Sequence, residues 1–180
     1  MYEVEVKVPA DLERVRARLD DVGATPTGSV VQEDTYYDAP HRSFSATDEA
    51  LRIRTERSET GDGGTHITYK GPLVDDESKT REEVETAVGD AEKMDAVLTN
   101  LGFEAAATVR KERERFALDE YTITLDSVDD VGEYVEVETE VADERALESA
   151  REGAYDVLER LGLDPDDQLR TSYLELLLEA

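Results

Sequence analysis

Eight separate segments of this chain alternate with a period of two residues, and that pattern restricts the fold more than any other feature. The segments cover residues 2–8, 30–37, 50–57, 65–71, 80–88, 107–118, 121–127 and 133–141. Successive side chains of a strand point to opposite faces, so each segment predicts a strand, and most of them have one polar and one apolar face. In the first, Glu3, Glu5 and Lys7 oppose Val4, Val6 and Val8. The third sets Arg52 and Arg54 against Leu51 and Ile53, and the fourth sets Thr68 and Lys70 against Ile67 and Tyr69. The fifth sets Arg81, Glu83 and Glu85 against Val84 and Val88, and the sixth puts Lys111 and Arg113 on one face. In the seventh, Asp126 joins Thr122 and Thr124 opposite Ile123 and Leu125. In the eighth, Glu136 and Glu138 join Tyr134 opposite Val135 and Val137.

Those polar faces carry seven acids, Glu3, Glu5, Glu83, Glu85, Asp126, Glu136 and Glu138, and seven bases, Lys7, Arg52, Arg54, Lys70, Arg81, Lys111 and Arg113. The whole chain holds 46 acidic and 20 basic residues, a net charge of −26. Independent solvated faces would be more than two to one acidic, so the balance favours one shared, enclosed face. Helical stripes fall at 10–22 (Leu12, Val15, Leu19, Val22), with Gly23 as the stop. They recur at 91–101 between a capping Asp90 and Gly102, at 143–161 before Gly162, and from Asp164-Pro165 to about residue 178. Amphipathic helices require an apolar partner. The prediction is therefore a single α+β domain over 1–180: a closed eight-stranded antiparallel β-barrel with charges inside and helices packed outside. The GDGG stretch at 61–64 predicts a turn. Glu-Val-Glu recurs at 3–5, 83–85 and 136–138, a weak echo that suggests two similar halves closing one sheet.

A charged interior cannot stay unpaired, because an isolated buried ion costs several kcal/mol or more. It must hold ion pairs, water and a highly charged ligand. The bases suit phosphate, and the acids added to them suit phosphate carried on Mg²⁺ or Mn²⁺. The absence of cysteine removes disulfides, thiolate zinc sites and a cysteine nucleophile together. No apolar run approaches the roughly 18 residues of a membrane span. The N-terminal MYEVEVKV lacks the regions of a secretory signal, so a cytoplasmic protein is expected. So acidic a surface repels nucleic acid and anionic membranes. Only five of the 20 basic residues are lysine. Acid excess with few lysines predicts a halophilic protein, since molar salt shortens the Debye length to about 3 Å and screens self-repulsion.

Glu3-x-Glu5-x-Lys7 resembles the signature of the CYTH superfamily, the triphosphate tunnel metalloenzymes. LRIR, TYKGP around Lys70, SKTREEVE, VRKERERF, ITLDSV and GEYVEVE follow in the order that family shows. With QEDTYYDAP and the C-terminal SYLELL, the chain looks most similar to the class IV adenylyl cyclase branch. The resemblance implies an eight-stranded tunnel in which Lys7, Arg52, Arg54, Lys70, Arg81, Lys111 and Arg113 bind the triphosphate. It implies Glu3, Glu5, Asp126, Glu136 and Glu138 as holders of one or two divalent ions, with Glu83 and Glu85 as ligands or as orienting partners. Lys111, Arg113 and Asp126 are the residues it places closest to the chemistry. A homodimer is also suggested.

Three functions share these positions. A cyclase directs the ribose 3′-OH of ATP at the α-phosphorus and releases pyrophosphate. A triphosphatase directs water at the terminal phosphoryl of inorganic or thiamine triphosphate. A non-catalytic metal–polyphosphate or nucleotide binding module would use the same lumen without turnover. Other residues invite plainer readings: His41 lies in a loop, His66 near a tunnel mouth, and Tyr36, Tyr37 and Tyr134 are strand tyrosines suited to packing or to stacking a base.

Overall fold

Closing eight strands on themselves leaves no unpaired edge, and it gives each strand's polar face a common interior. The computed structural model, which describes residues 1–61 and 63–179, does this with every expected segment. The strands are β1 (Tyr2–Pro9), β2 (Thr25–Asp38), β3 (Ala50–Ser58), β4 (Gly63–Leu73), β5 (Lys79–Val88), β6 (Glu104–Leu118), β7 (Tyr121–Val128) and β8 (Gly132–Val141). They pair in the closed order β1-β5-β4-β3-β2-β6-β7-β8, and every pairing is antiparallel. The three Glu-Val-Glu strands are neighbours, β5-β1-β8, with Glu5 opposite Glu138 in the ladder. The echo marks one continuous wall rather than two halves. The expected turn at 61–64 includes Asp62, which lies outside the described residues.

Among the described residues, five helices lie outside the strands: α1 (Leu12–Asp21), α2 (Phe44–Thr47), α3 (Ala91–Asn100), α4 (Leu147–Arg160) and α5 (Tyr173–Glu179). The Asp11 carboxylate caps α1 by accepting from the Glu13 and Arg14 amides, and Asp90 caps α3 by accepting from Lys93. Gly23, Gly102 and Gly162 follow α1, α3 and α4 with positive φ of 76°, 95° and 75°. The outward valines and leucines of β1, β7 and β8 are buried against Leu12, Val15 and Leu19 of α1 and Ala154, Val157 and Leu158 of α4. Gly153 permits this approach. Its bare Cα lets the Tyr121 hydroxyl donate to the Ala150 carbonyl at 2.9 Å, and a Cβ there would fall 2.0 Å from the Tyr121 oxygen. On the far side, α3 buries Leu98 against Tyr37 and Ile53.

The fourth expected helix is a correction. Asp164 and Pro165 do begin a helical turn, but it is a 3₁₀ turn of three residues, Pro165–Asp167. The next residues bond to the barrel instead of to each other. The Leu169 amide donates to the Lys7 carbonyl at 2.7 Å, and the Arg170 guanidinium donates to the Ser78 and Asp75 carbonyls. Helix resumes only at α5, where Ser172 and Glu175 form a reciprocal capping box. The leucines of α5 pack against the inward-facing Tyr36, Val109, Val128 and Tyr134 at one end of the barrel.

Candidate active site

The barrel encloses a cavity of about 600 Å³, within the range typical of small-molecule sites. Thirteen of the fourteen charged residues assigned to the polar faces line it; Asp126 lies buried beneath Arg113. Strand order gathers most of the acids on one wall, although Lys7 of β1 and Arg81 of β5 stand among them. β5, β1 and β8 carry Glu83, Glu85, Glu3, Glu5, Glu136 and Glu138, and the strand opposite β1 in the ring is β2. β2 is flanked by β3, with Arg52 and Arg54, and by β6, with Lys111 and Arg113. The lumen therefore has an acidic wall facing a basic one.

The basic wall is organised by Asp34, a fully buried carboxylate of β2. Arg54 donates to it through Nε and Nη2, both at 2.7 Å, while Arg52 stands 3.7 Å and Lys111 3.5 Å away. Burial pushes the Asp34 carboxyl up, but Lys111, Arg52 and Arg54 together overcome this and hold it well below the usual range. The Lys111 ammonium is pushed down to about 7, first by burial and then by Arg113, with Asp34 opposing.

Arg113 forms a second buried unit. It donates to both Asp126 oxygens at 2.7 and 2.6 Å and to Glu136 at 2.9 Å, and the Tyr173 hydroxyl of α5 donates to Asp126 at 2.7 Å. Between the walls, Lys70 Nζ bridges Glu83 at 2.9 Å and Glu3 at 3.3 Å. Glu85 accepts from Thr68, and Arg81 turns to Asp48 at 3.6 Å. Lys7 is 1% exposed, and its Nζ lies 4.1 Å above the Tyr173 ring without a hydrogen-bond acceptor. Burial and the neighbouring Lys79 lower its pKa to about 8.

On the acidic wall, Glu3, Glu5 and Glu138 bring one carboxylate oxygen each within 4.8 Å of one another. This all-oxygen set suits a hard divalent cation. Two observations fit such an ion: Glu5 Oε1 is buried without a hydrogen-bond partner, and Glu138 is pushed up to about 8 by burial and by Glu3. Asp126 and Glu136 stand apart from this trio, with their oxygens turned to Arg113 and Tyr173.

Sequence reasoning missed Asp34, Lys79 and the role of Tyr173. Asp34 shares parity with Gln32 and Tyr36, and that alternation was a usable signal in a strand without basic residues. Lys79 sits one residue before the expected start of its strand, in phase with Arg81. The fold brings in Tyr173 from a distant helix, so no local pattern marks it. Of the plainer residues, His41 is exposed beside Arg42, and His66 pairs with Arg54 in the ladder outside the cavity lining. Tyr37 donates to Asp95, and Tyr36 and Tyr134 pack with Tyr173.

A closed antiparallel barrel with facing acidic and basic inner walls defines a class of charged-tunnel proteins. Within that class the chain belongs to the CYTH domain family, whose model matches residues 1–173. It is 38% identical over 177 residues, 98% of each chain, to a protein of Methanocaldococcus jannaschii provisionally named an adenylate cyclase. It is 29% identical over 146 residues, 81% of this chain and 71% of the relative, to an adenylate cyclase of Aeromonas hydrophila. A solved structure from Pyrococcus horikoshii, 39% identical and covering 98% of each chain, superposes with a TM-score of 0.92.

Proposed function

We propose that the protein is a metal-dependent enzyme of the adenylyl cyclase type that binds the triphosphate of ATP across its lumen. The observation that carries this is the opposition of the Glu3–Glu5–Glu138 trio to the Arg52–Arg54–Lys111 wall across one cavity inside the closed barrel. A metal-bearing triphosphate needs both at once, carboxylate oxygens for the ion and fixed cations for the phosphoryl oxygens. The names of the two relatives support the cyclase assignment over the other uses of such a site.

Glu3, Glu5 and Glu138 would hold Mg²⁺ or Mn²⁺, which when bound polarises phosphoryl oxygens and acidifies the attacking hydroxyl. The chain's own residues do the rest. Arg54 is fixed by two of its donors on Asp34, which leaves Nη1 for the ligand. Arg52, Lys70, Lys111 and Arg113 surround the same space. Attack of the ribose 3′-OH on the α-phosphorus forms the 3′-O–P bond as the bond to the bridging oxygen breaks; the hydroxyl proton passes to solvent or to the departing pyrophosphate, on which negative charge grows. Cations already held in place stabilise that charge without reorganising, and such preorganisation is where most of the rate enhancement arises.

One observation favours hydrolysis instead. Tyr173 packs against Tyr134 with ring centroids 5.3 Å apart, and Lys7 and Lys111 Nζ stand 4.1 and 5.0 Å from its ring, which takes that ring out of base stacking. Product analysis decides. With ATP and Mg²⁺ or Mn²⁺, a cyclase yields equal cyclic AMP and pyrophosphate. Orthophosphate from tripolyphosphate or thiamine triphosphate, without cyclic AMP, establishes a triphosphatase. Binding without either product reduces the protein to a binding module.

A further inference from the structure

Lys7, Lys79 and Arg81 stand among the carboxylates of the acidic wall, and Glu5 adjoins both lysines. Lys79 on β5 is the ladder partner of Glu5, and Lys7 follows two residues along β1 on the same inward face. Lys79 Nζ lies 3.5 Å from Glu5 Oε1, and its side chain is 12% exposed. Neither Glu5 Oε1 nor the buried Lys7 Nζ makes a hydrogen bond. Glu136, the ladder partner of Lys7, is already engaged by Arg113 at 2.9 Å, so two ammonium groups crowd the lumen around the half-satisfied Glu5, an arrangement unfavourable by itself. An anion between them relieves the arrangement, and a cation on Glu5 makes the need sharper by taking the shared counter-charge.

We infer that Lys79 is a triphosphate-binding residue, which with Lys7 grips the phosphoryl group lying nearest α5; this rests on reading the lumen as a triphosphate site. A phosphoryl group suits the place because its several acceptor oxygens can serve two ammonium groups together, each a compact three-donor charge. The position also adjoins the Glu3–Glu5–Glu138 trio, so one phosphoryl group can face both the lysines and an ion held there. Lysine usage agrees. Four of the five lysines, Lys7, Lys70, Lys79 and Lys111, line the lumen, while Lys93 is exposed on α3. The competing role for Lys79 is simple neutralisation of Glu5.

Tripolyphosphate titrated calorimetrically in EDTA at fixed ionic strength separates the two without metal or turnover. Lys79→Met should weaken binding roughly tenfold to a hundredfold, the loss of one charge-assisted contact. Lys79→Arg should recover most of the affinity, and Lys93→Met should change nothing. Unchanged tripolyphosphate affinity in a folded Lys79→Met, with altered Mg²⁺ affinity alone, overturns the inference in favour of neutralisation. On the unmutated protein, tripolyphosphate should slow reductive methylation of Lys79 relative to Lys93, read by mass spectrometry. Equal methylation with and without tripolyphosphate overturns the assignment even if Lys79→Met fails to fold. An unmutated protein that binds no tripolyphosphate overturns the triphosphate reading itself.

Discussion

Replacing Lys111 by methionine keeps the side chain's length, removes its charge, and separates a ligand-gripping lysine from a structural one. The structure supplies the terms. Lys111 Nζ reaches one carboxylate, Asp34, at 3.5 Å, and Asp34 retains two 2.7 Å bonds from Arg54 when the lysine goes. No buried carboxylate is orphaned. The ammonium itself is held poorly, with a pKa near 7 against an ordinary value of 10.5. Between those values the unfolded chain binds a proton that the folded one releases, so stability rises with pH across that window. Below about pH 7 both states are charged, and the full penalty is present. Each pKa unit corresponds to about 1.4 kcal/mol, which makes the penalty on the order of several kcal/mol.

Lys111→Met should therefore melt at the same temperature or higher at pH 7, with its advantage shrinking toward pH 10. Its turnover, or its tripolyphosphate affinity, should fall about a hundredfold, the roughly 3 kcal/mol of one charge-assisted contact. A bound triphosphate also raises the lysine's pKa. Calorimetry at pH 8 in buffers of different ionisation enthalpy should then show uptake of about one proton in the unmutated protein and less in the variant. A variant that melts lower yet keeps its rate and its ligand-induced melting shift would refute this reasoning, because Lys111 would then be only a counter-ion to Asp34.

Three further outcomes are expected. Glu138→Gln should raise ligand-free stability at pH 8, where the folded protein disfavours the extra carboxylate, and should abolish the Mg²⁺-induced melting shift; a retained shift moves the ion elsewhere. Gly153→Ala should destabilise by about 1–3 kcal/mol through overpacking against Tyr121, and Gly153→Ala with Tyr121→Phe should recover part of that loss in chemical denaturation. The net charge of −26 is carried mainly outside the lumen, so the melting temperature should climb between low and molar KCl; a flat or falling curve removes the basis for a halophilic reading.

What could be read from the sequence follows from how local each signal is. Strand alternation is local, and it located the eight strands and the inward set from Glu3 to Glu138. The sorting of that set into facing walls depends on strand order, which sequence alternation does not encode. Asp34 stayed hidden because its strand has no basic residue to draw notice, although its three cations are supplied by β3 and β6. The C-terminal helix misled for the opposite reason. Residues 168–172 carry acceptable helical residues, but bonds to the Lys7, Ser78 and Asp75 carbonyls outcompete the helix. Tyr173 reaches Asp126 only because that segment crosses the barrel's end.

The central claim is that the lumen holds a divalent ion on one wall and a triphosphate against the other. Anomalous diffraction from crystals grown with Mn²⁺ and tripolyphosphate tests it most directly. The account requires a manganese peak about 2.2 Å from carboxylate oxygens of Glu3, Glu5 and Glu138, with the phosphate chain between it and Arg52, Arg54 and Lys111. Manganese and phosphate found only on the outer surface, with the lumen holding water alone, would contradict it.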